Sequence, residues 1–154
     1  MADDYILNEH NKEEFPPAHT AEHLLNQVMI RLFGCERSYN AHIERKKSKM
    51  SFYLDHKPTR QEEKEIEREM LRLIDEDLPV TFEFVGRDEI PAGVKLDRLP
   101  DDASETLRLV RIGDYDICAC AGDHVANTGE IPHFKIISHD FADGTWRVRF
   151  RLGE

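Results

Sequence analysis

Two short segments of this chain each carry a pair of metal-binding side chains, with three residues between the members of each pair. The first segment is residues 19–23 (HTAEH), and the second, about a hundred residues later, is residues 120–124 (CAGDH). Residues four apart on a helix lie one turn above each other, so such a pair can reach a single ion. A fold in which both pairs serve one site must bring these two distant parts of the chain together.

Together the two segments supply a complete ligand set for zinc, consisting of His19, His23, Cys120 and His124. Three imidazoles and one thiolate suit tetrahedral zinc, whereas Mg²⁺ and Ca²⁺ prefer oxygen ligands. Either spacing alone is weak evidence, because eight histidines in 154 residues produce such pairs by chance. Cys118 is a rival thiolate, but only Cys120 has the spacing to His124. Four protein ligands are typical of a structural site and a catalytic site keeps one position open, so both alternatives stand.

The composition is that of one domain spanning residues 1–154. Hydrophobic residues make up 40% and charged residues 34% of the chain, and no run approaches the roughly 18–20 apolar residues of a membrane span. The N-terminus lacks the basic and apolar regions of a secretory signal. Three cysteines, an odd number, favour a reducing compartment in which cysteine binds metal more often than it forms disulfides. We therefore expect a cytoplasmic protein without a membrane partner.

The net charge of −10 and the pI near 5.3 argue against a protein that coats nucleic acid without specificity. Local basic segments are nevertheless present. The densest precedes a predicted strand and provides candidate phosphate contacts, namely Arg45, Lys46, Lys47 and Lys49. A second set alternates along the last predicted strand and comprises Arg147, Arg149 and Arg151. For both sets, a solvated surface without a partner is the alternative.

The first predicted helix covers residues 18–33. Pro16 and Pro17 precede it, and Gly34 follows it in the favoured C-cap position. At about 100° per residue, its core stripe comprises Leu24, Leu25, Val28, Met29 and Leu32. His19 and His23 fall together outside the middle of that stripe, so we expect them to face a cleft at the edge of the helix.

The second predicted helix begins with a capping box, in which Glu62 follows Thr59 by three residues. Pro79 limits its C-terminal end. Its apolar face comprises Ile66, Met70, Leu73 and Ile74. The remaining surface of this helix is rich in Glu, Lys and Arg and is predicted to be solvated.

Alternating apolar residues predict six strands, at residues 49–55, 80–85, 107–112, 115–121, 133–138 and 145–152. Gly113-Asp114 and Asp143-Gly144 are plausible turns of two hairpins. Residues 89–94 are predicted to form a short irregular or helical piece. Helices gathered with a mainly antiparallel sheet predict an α+β domain.

Both metal-binding segments resemble the motifs of alanyl-tRNA editing domains, which occur in alanyl-tRNA synthetase and in free-standing AlaX-type trans-editing proteins. That family has HTAxHLL and CGGTHVxxTGEIGxFKI. Here residues 19–25 read HTAEHLL and residues 120–136 read CAGDHVANTGEIPHFKI. Residues 111–117 (RIGDYDI) also match a family strand-turn-strand, so the likeness covers most of the chain. Threonyl-tRNA synthetase editing domains are more distant relatives.

The resemblance implies an α+β fold like that of class II synthetase editing domains. It also implies hydrolysis of the ester that joins a wrong amino acid, typically serine or glycine, to the 3′ end of alanine tRNA. On this basis the zinc ligands are His19, His23, Cys120 and His124. Candidate substrate contacts within the same motifs are Thr20, Thr128 and Gly129. The implied partner is aminoacylated tRNA, with the basic segment at residues 45–49 as its candidate contact, and no ATP is expected.

Three positions depart from the family pattern. Ala121 and Pro132 each replace a family glycine, and Asp123 replaces the threonine before the last ligand. Asp123 places a carboxylate next to the metal, where it could act as a base or bind the substrate amine, and a surface turn residue is the alternative. Glu22 is a second candidate catalytic carboxylate, because helical periodicity places it near His19; an exposed helix residue is again the alternative.

Two other functions fit parts of the sequence. His19, Glu22 and His23 formally match the H-x-x-E-H pattern of inverted zincin peptidases, in which the Glu is the general base, but this leaves Cys120 and His124 unexplained. Alternatively, the zinc could be purely structural, in a domain that binds tRNA or a protein partner without catalysis. The sequence does not indicate an oligomeric state.

Overall fold

The computed structural model describes residues 15–86 and 106–153, and within them two helices combine with two antiparallel sheets. In chain order the elements are α1 (Pro16–Phe33), β1 (Asn40–His42), β2 (Ser48–Tyr53), α2 (Arg60–Asp75), β3 (Val80–Gly86), β4 (Thr106–Ile112), β5 (Asp116–Ala119), β6 (Phe134–Ala142) and β7 (Thr145–Leu152). A 3-10 turn, Thr128–Glu130, lies between β5 and β6. The α+β class is confirmed, while the piece predicted at residues 89–94 lies outside the described residues.

Helix α1 follows the predicted signals at both of its ends. Pro16 and Pro17 open it, where their missing N–H groups leave no intrahelical hydrogen bond unmade. Gly34 ends it with a left-handed backbone (φ 69°), and the N–H of Gly34 donates to the carbonyl of Ile30 (2.9 Å). These local signals place the first turns of α1, which carry both histidines, at a defined position in the chain.

The apolar stripe of α1 is buried along most of the helix, at Leu24, Leu25, Val28 and Met29. The expectation for Leu32 is wrong, because this side chain is 44% exposed. Residues 30–33 are all half-buried or exposed, so the last turn of α1 extends beyond the packed core. There the angular position of a residue around the helix no longer decides its burial.

Helix α2 begins with the predicted capping box. The N–H of Glu62 donates to the hydroxyl of Thr59 (3.1 Å), and the N–H of Thr59 donates to the carboxylate of Glu62 (2.9 Å). The helix ends at Asp75, a few residues before Pro79. Its predicted apolar face is buried or half-buried at Ile66, Met70, Leu73 and Ile74.

The larger sheet has the strand order β1-β2-β7-β6, with every neighbouring pair antiparallel. β6 and β7 form the predicted hairpin, whose turn residues Asp143 (φ 53°) and Gly144 (φ 79°) are both left-handed, as a type I′ turn requires. β6 continues beyond its predicted end at Ser138, because pairing resumes after a register shift between Ile136 and Ser138. The three-residue β1 is too short to show an alternating pattern, and the sequence does not predict it.

The smaller sheet has the strand order β3-β4-β5 and is also antiparallel. The β4–β5 hairpin turns at the predicted Gly113-Asp114, where Gly113 has a φ of 51°. β5 ends at Ala119 rather than at residue 121, so Cys120 lies just after the strand. The N–H of Cys120 still donates to the carbonyl of Arg108 (3.2 Å), which holds the start of the following loop against the sheet.

One cluster of buried side chains connects both helices with both sheets. Its largest aromatic members come from β2, β6 and β7, and they are Phe52, Phe134, Trp146 and Phe150. α1 contacts both α2 and β5, so its first turns lie against the loop that follows β5. Neither α1 nor α2, the two helices of the described residues, has the length and apolar character of a membrane-spanning segment.

Candidate metal centre

The two segments that carry the candidate metal ligands meet at the N-terminal end of α1. His19 and His23 occupy successive turns of this helix, and Cys120 and His124 lie in the loop after β5. One potential ligand atom from each of the four residues lies within 4.8 Å of the other three. The fold thus unites the two distant segments, which is what a single metal site requires.

The side chains of the cluster are closely packed. The sulfur of Cys120 lies 3.3 Å from Nε2 of His19 and 4.0 Å from Nε2 of His124. The rings of His19 and His124 are stacked with 4.1 Å between centroids, and His23 stands edge-on to both at 5.1 and 4.5 Å. His19 and His23 are only 8% and 4% exposed, because the loop after β5 covers them. The sequence predicts that they face a cleft, so they are more enclosed than expected.

Hydrogen bonds on the opposite side of the rings orient two of the imidazoles. Nδ1 of His19 donates to the carbonyl of Asp123 (3.0 Å). Because a carbonyl only accepts, neutral His19 must carry its proton on Nδ1, and its Nε2 then offers a lone pair to the cluster. Nδ1 of His124 lies 2.8 Å from the hydroxyl of Thr20, which also accepts from the N–H of Val125 (3.2 Å). Such partners fix ring orientation at metal sites.

The third imidazole is backed by a buried carboxylate. Nδ1 of His23 is buried and makes no hydrogen bond to any of the described residues, and a carboxylate oxygen of Asp116 lies 3.8 Å away. Asp116 accepts two hydrogen bonds from Arg37 (3.0 and 3.1 Å) and one from Gln27 (2.8 Å). An unpaired buried polar atom costs about 1–3 kcal/mol, and a small movement of the ring toward Asp116 would pair it. This arrangement fits a metal-binding imidazole supported by a carboxylate.

Arg108 holds the loop that carries the thiolate. Its guanidinium donates to the carbonyls of Cys120 (2.9 Å) and Gly122 (2.6 Å) and lies 4.5 Å over the ring of Phe82. Gly122 has a φ of 114°, a conformation that other residues rarely adopt. Ala121, which stands where the family has a glycine, is not among the described residues with positive φ. The replacement therefore falls at a position whose backbone accepts a side chain.

The donor set fits zinc. Burial, with contributions from His19 and Arg108, lowers the pKa of His124 to about 2. Burial and the neighbouring His124 likewise hold the pKa of His23 well below its usual value. Both imidazoles are therefore neutral at physiological pH and keep a lone pair for a cation. Nitrogen and sulfur donors this close to one another match the ligand preference of tetrahedral zinc, so the cluster could bind a metal.

The two predicted catalytic carboxylates both neighbour the cluster. Glu22 is not an exposed helix residue, since its side chain is 14% exposed and its carboxylate lies 3.9 Å from Nε2 of His19. Asp123 is exposed, and the group of this residue that bonds to His19 is its backbone carbonyl. Catalytic roles for Glu22 and Asp123 stay predictions.

The three predicted substrate contacts make hydrogen bonds within the protein. Thr20 is fully buried and links His124 to the backbone, as described above. The hydroxyl of Thr128 donates to the carbonyl of Leu73 (2.8 Å) and accepts from the N–H of Leu78 (2.8 Å). The N–H of Gly129 donates to a carboxylate in the α2–β3 connection (3.0 Å). Their roles as substrate contacts stay predictions.

The predicted phosphate contacts lie outside the cluster. The loop between β1 and β2 exposes Arg45, Lys46 and Lys47, and Lys49 is half-buried in β2. The guanidinium of Arg45 lies 4.2 Å over the ring of Phe15, the residue that precedes α1. This segment therefore reaches the helix end that carries His19, and its role as a tRNA contact stays a prediction.

Sequence reasoning missed the residues that support the ligands, which are Gln27, Arg37, Arg108 and Asp116. Asp116 lies in the segment RIGDYDI, whose match to the family pattern is the one signal that could have identified it. Arg37 and Arg108 act through contacts distant in the chain, and no local spacing indicates them. The rival thiolate Cys118 pairs with Val110 within the smaller sheet and is not one of the four clustered residues.

Comparison with known proteins agrees with these motifs. Residues 107–149 match the family described as the Threonyl and Alanyl tRNA synthetase second additional domain. Similar proteins include alanine–tRNA ligases from Halorubrum lacusprofundi (33% identical over 139 residues), Methanothrix thermoacetophila (34% over 141) and Oceanobacillus iheyensis (33% over 132). The chain belongs to the alanyl-tRNA synthetase-type editing domain family. Its resemblance to that family is thereby confirmed.

The similarity covers most of this chain and a small part of each relative. The three alignments include 88%, 88% and 84% of the chain, but the chain spans only 15% of the length of each ligase. The family match includes Cys120 and His124, and the alignments with the ligases extend beyond it. The relationship is therefore to one domain of these much longer proteins.

Proposed function

We propose that this chain is a zinc-dependent hydrolase that removes wrongly attached serine or glycine from alanine tRNA. The observation that carries the proposal is the convergence of four donor atoms within 4.8 Å of one another. These donors lie in the two segments that resemble the family motifs. Membership of the editing domain family and the similarity to alanine–tRNA ligases support alanine tRNA as the substrate.

The residues that would hold the zinc are His19, His23, Cys120 and His124. When bound, zinc supplies positive charge that polarises an ester carbonyl or a water molecule. The protein contributes oriented ligands. The backbone carbonyl of Asp123 holds the ring of His19 at Nδ1, and the hydroxyl of Thr20 holds the ring of His124 at Nδ1. The protein also excludes water from the α1 side of the cluster, where both histidines are buried. Electrostatic interactions are stronger in such a partly dry site than in bulk water.

The two carboxylates beside the cluster complement the charge of an aminoacyl ester. Such a substrate carries a protonated amine next to its ester carbonyl. Asp123 presents an exposed carboxylate in the ligand-bearing loop, where it can bind that amine or accept a proton from attacking water. Glu22, 3.9 Å from His19, adds negative charge on the α1 side. Serine and glycine differ from alanine by only one small substituent, so discrimination depends on how closely these groups confine the amino acid.

Hydrolysis of three charged tRNAs tests this proposal. The zinc-loaded protein is incubated with Ser-tRNA(Ala), Gly-tRNA(Ala) and correctly charged Ala-tRNA(Ala), and release of each amino acid is followed over time. We expect cleavage of the first two esters and survival of the third. Protein carrying His23→Ala, purified in the same way, is the matched control for a contaminating hydrolase. Survival of all three esters with zinc-loaded wild-type protein would contradict the proposal.

A non-catalytic, zinc-stabilised module that binds tRNA or a protein is the second candidate. The observation that favours it is that the cluster already contains four protein donors, enough to fill a tetrahedral zinc ion. The visible absorption spectrum of cobalt-substituted protein distinguishes the two candidates. A spectrum that changes when a non-hydrolysable seryl-adenosine analogue is added indicates an exchangeable position, as catalysis requires. A spectrum that stays unchanged at saturating analogue favours the module.

A further inference from the structure

The larger sheet has a basic face that points away from the core. Alternate residues of β2 and β7, such as Met50, Phe52, Val148 and Phe150, are buried, so the residues between them lie on the opposite side of the sheet. We call this opposite side the outer face. Its charged members on β2, β6 and β7 are Lys49, Lys135, Asp140, Arg147, Arg149 and Arg151.

Two cross-strand pairs on the outer face place like charges opposite each other. Lys49 is the register partner of Arg149, and Lys135 is the partner of Arg151. Directly opposite side chains have Cβ atoms about 4.5–5.5 Å apart, and like charges at that distance destabilise a sheet. Within the described part of the chain, Lys49, Lys135 and Arg151 make no ion pair. Because the protein as a whole carries a net charge of −10, neither its composition nor the stability of the sheet accounts for this concentration of cations.

Asp140 offsets only part of this positive charge. Its carboxylate accepts hydrogen bonds from Arg149 (3.0 Å) and Arg147 (3.1 Å), and these bonds lower its pKa. The two guanidinium groups are thereby held in defined positions, yet their side chains stay 27% and 44% exposed. The outer face is therefore net positive and partly preorganised, as a surface that binds anions should be.

An exposed aromatic pair lies on the same sheet. The rings of Tyr39 and Tyr53 are stacked with 4.2 Å between centroids, and the two residues are 44% and 63% exposed. Tyr53 lies in β2 on the same side as Lys49, because the two positions are an even number of residues apart. Exposed aromatic rings beside cations are typical of nucleic-acid surfaces, since bases stack on the rings while the cations contact phosphates.

The basic loop at residues 45–47 connects the outer face with the metal centre. It directly precedes β2, and its Arg45 lies over the ring of Phe15. The carbonyl of Phe15 in turn accepts the N–H of His19 (3.1 Å), one of the clustered histidines. A polyanion that runs along the outer face and this loop would thus arrive at the end of α1 that carries the candidate metal ligands.

We propose that the outer face of the larger sheet, together with the basic loop at residues 45–47, binds the phosphate backbone of tRNA. This inference rests on the proposed function for the identity of the nucleic acid. The outer face holds the body of the tRNA by charge, and the metal centre receives its acylated 3′ end. Contacts of this kind supply affinity and are sensitive to salt.

Binding of unacylated alanine tRNA tests the inference without any need for catalysis. Fluorescence anisotropy gives Kd for the full chain across KCl concentrations from about 50 to 200 mM. One double variant, Lys49→Ala with Arg149→Ala, removes a like-charge pair from the outer face. The matched control, Lys64→Ala with Arg68→Ala, removes the same charge from the exposed side of α2. Circular dichroism and zinc content establish that each variant is folded.

We expect the outer-face variant to bind tRNA roughly tenfold more weakly at low salt, with a log Kd–log[KCl] slope smaller by about 1 to 2. The control should keep the wild-type Kd. Asp140→Asn should act in the opposite direction and tighten binding, because it removes the negative charge from the face. This opposite effect separates a charge-based contact from general damage to the sheet.

Several outcomes overturn the inference. One is a wild-type Kd for the outer-face variant, and another is an equal loss in the α2 control. A wild-type protein that binds no tRNA at low salt also overturns it, and an acidic protein would then be the partner to seek. The result is independent of the hydrolysis test. Loss of binding without any ester cleavage supports the outer face and contradicts catalysis, whereas cleavage with unchanged binding contradicts the outer face alone.

Discussion

The segment from Cys120 to Glu130 contains two regions that the structure uses differently. Residues 120–124 lie against α1 and contribute two donor atoms to the cluster of candidate metal ligands. The second region, Thr128–Glu130, lies against the end of α2, where the Thr128 hydroxyl and the Gly129 N–H are bonded to the α2–β3 connection. A single sequence motif thus combines residues that can bind a metal with residues that attach the loop to the fold.

The different roles of residues 120–124 and Thr128–Glu130 should be distinguishable by measuring zinc affinity and stability. Donor atoms decide whether a metal binds, and the hydrogen bonds at Thr128–Glu130 decide how firmly the loop is held to α2. Because the two sets involve different side chains, substitutions should separate zinc affinity from the free energy of unfolding. Three sets of variants test this separation, in order of decreasing effect on the metal centre.

Loss of a ligand should have the largest effect. We expect Cys120→Ala and His23→Ala each to reduce zinc from about one ion per chain to nearly none, because each removes one of the four candidate donors and the remaining three should hold the ion too weakly to survive dialysis. Ester hydrolysis should disappear together with the metal. Zinc content is measured by mass spectrometry after dialysis against metal-free buffer.

Cys118→Ala is the matched control for Cys120→Ala, since it removes a thiol from the same hairpin two residues earlier. It should retain zinc, because Cys118 is outside the cluster. Full zinc and activity in both Cys120→Ala and His23→Ala would show that these residues are not ligands. Loss of zinc in Cys118→Ala with retention of zinc in Cys120→Ala would show that Cys118, and not Cys120, supplies the thiolate.

Removal of a hydrogen bond behind a ligand should have an intermediate effect. Thr20→Val keeps the shape of the side chain but removes the hydroxyl that lies 2.8 Å from Nδ1 of His124. We expect zinc affinity to fall by about 10- to 100-fold, as is typical when such a partner is lost. Competition with a chromogenic chelator measures the affinity.

Thr20→Ser is the control, because it retains the hydroxyl and should retain most of the zinc affinity. The pair of variants also separates two roles for this residue. A positioning role predicts weaker zinc binding in Thr20→Val. Wild-type zinc affinity with a raised KM for the tRNA ester would instead identify Thr20 as the substrate contact that the sequence predicts.

Local signals explain which parts of the fold could be predicted from the sequence. The two prolines that open α1, the capping box at Thr59 and the turn residues Asp143-Gly144 each specify a conformation through their immediate neighbours, and all three are confirmed. The errors occur where tertiary packing decides the outcome. Leu32 is exposed because the last turn of α1 extends beyond the packed core. β6 is longer than predicted because its pairing with β7 continues after a register shift.

The cluster of candidate metal ligands shows the same limit of prediction from sequence. Its four donors could be proposed because each pair has a recognisable spacing and the family motifs name the residue types. The residues that support these donors could not be predicted, because Asp116 and Arg108 acquire their roles only when β4 and β5 pair and the following loop packs against α1. Conversely, Thr128 and Gly129 stand in a functional motif, and the sequence alone does not reveal that their polar groups bond to the end of α2.

The smallest effect on the metal centre is expected from the region bonded to α2. Thr128→Val removes the hydroxyl that pairs with the carbonyl of Leu73 and the N–H of Leu78. Leaving these groups unpaired should lower the free energy of unfolding by about 1–3 kcal/mol. Zinc affinity should stay within about twofold of wild type, because no ligand or ligand partner changes. Urea unfolding with a chelator present measures stability without a contribution from bound metal.

Gly129→Ala tests the same region by steric conflict. A Cβ atom at this position would clash with a carboxylate oxygen of Asp77, so the Asp77 side chain must turn away and lose its hydrogen bond from the Gly129 N–H, at a cost of about 1–3 kcal/mol. Because the conflict is with one side chain, adding Asp77→Ala should recover part of the loss, as a double-mutant cycle would show. Additive losses in the cycle would mean that the contact is not the cause. A large fall in zinc affinity in Gly129→Ala would show that the two regions are coupled rather than separate.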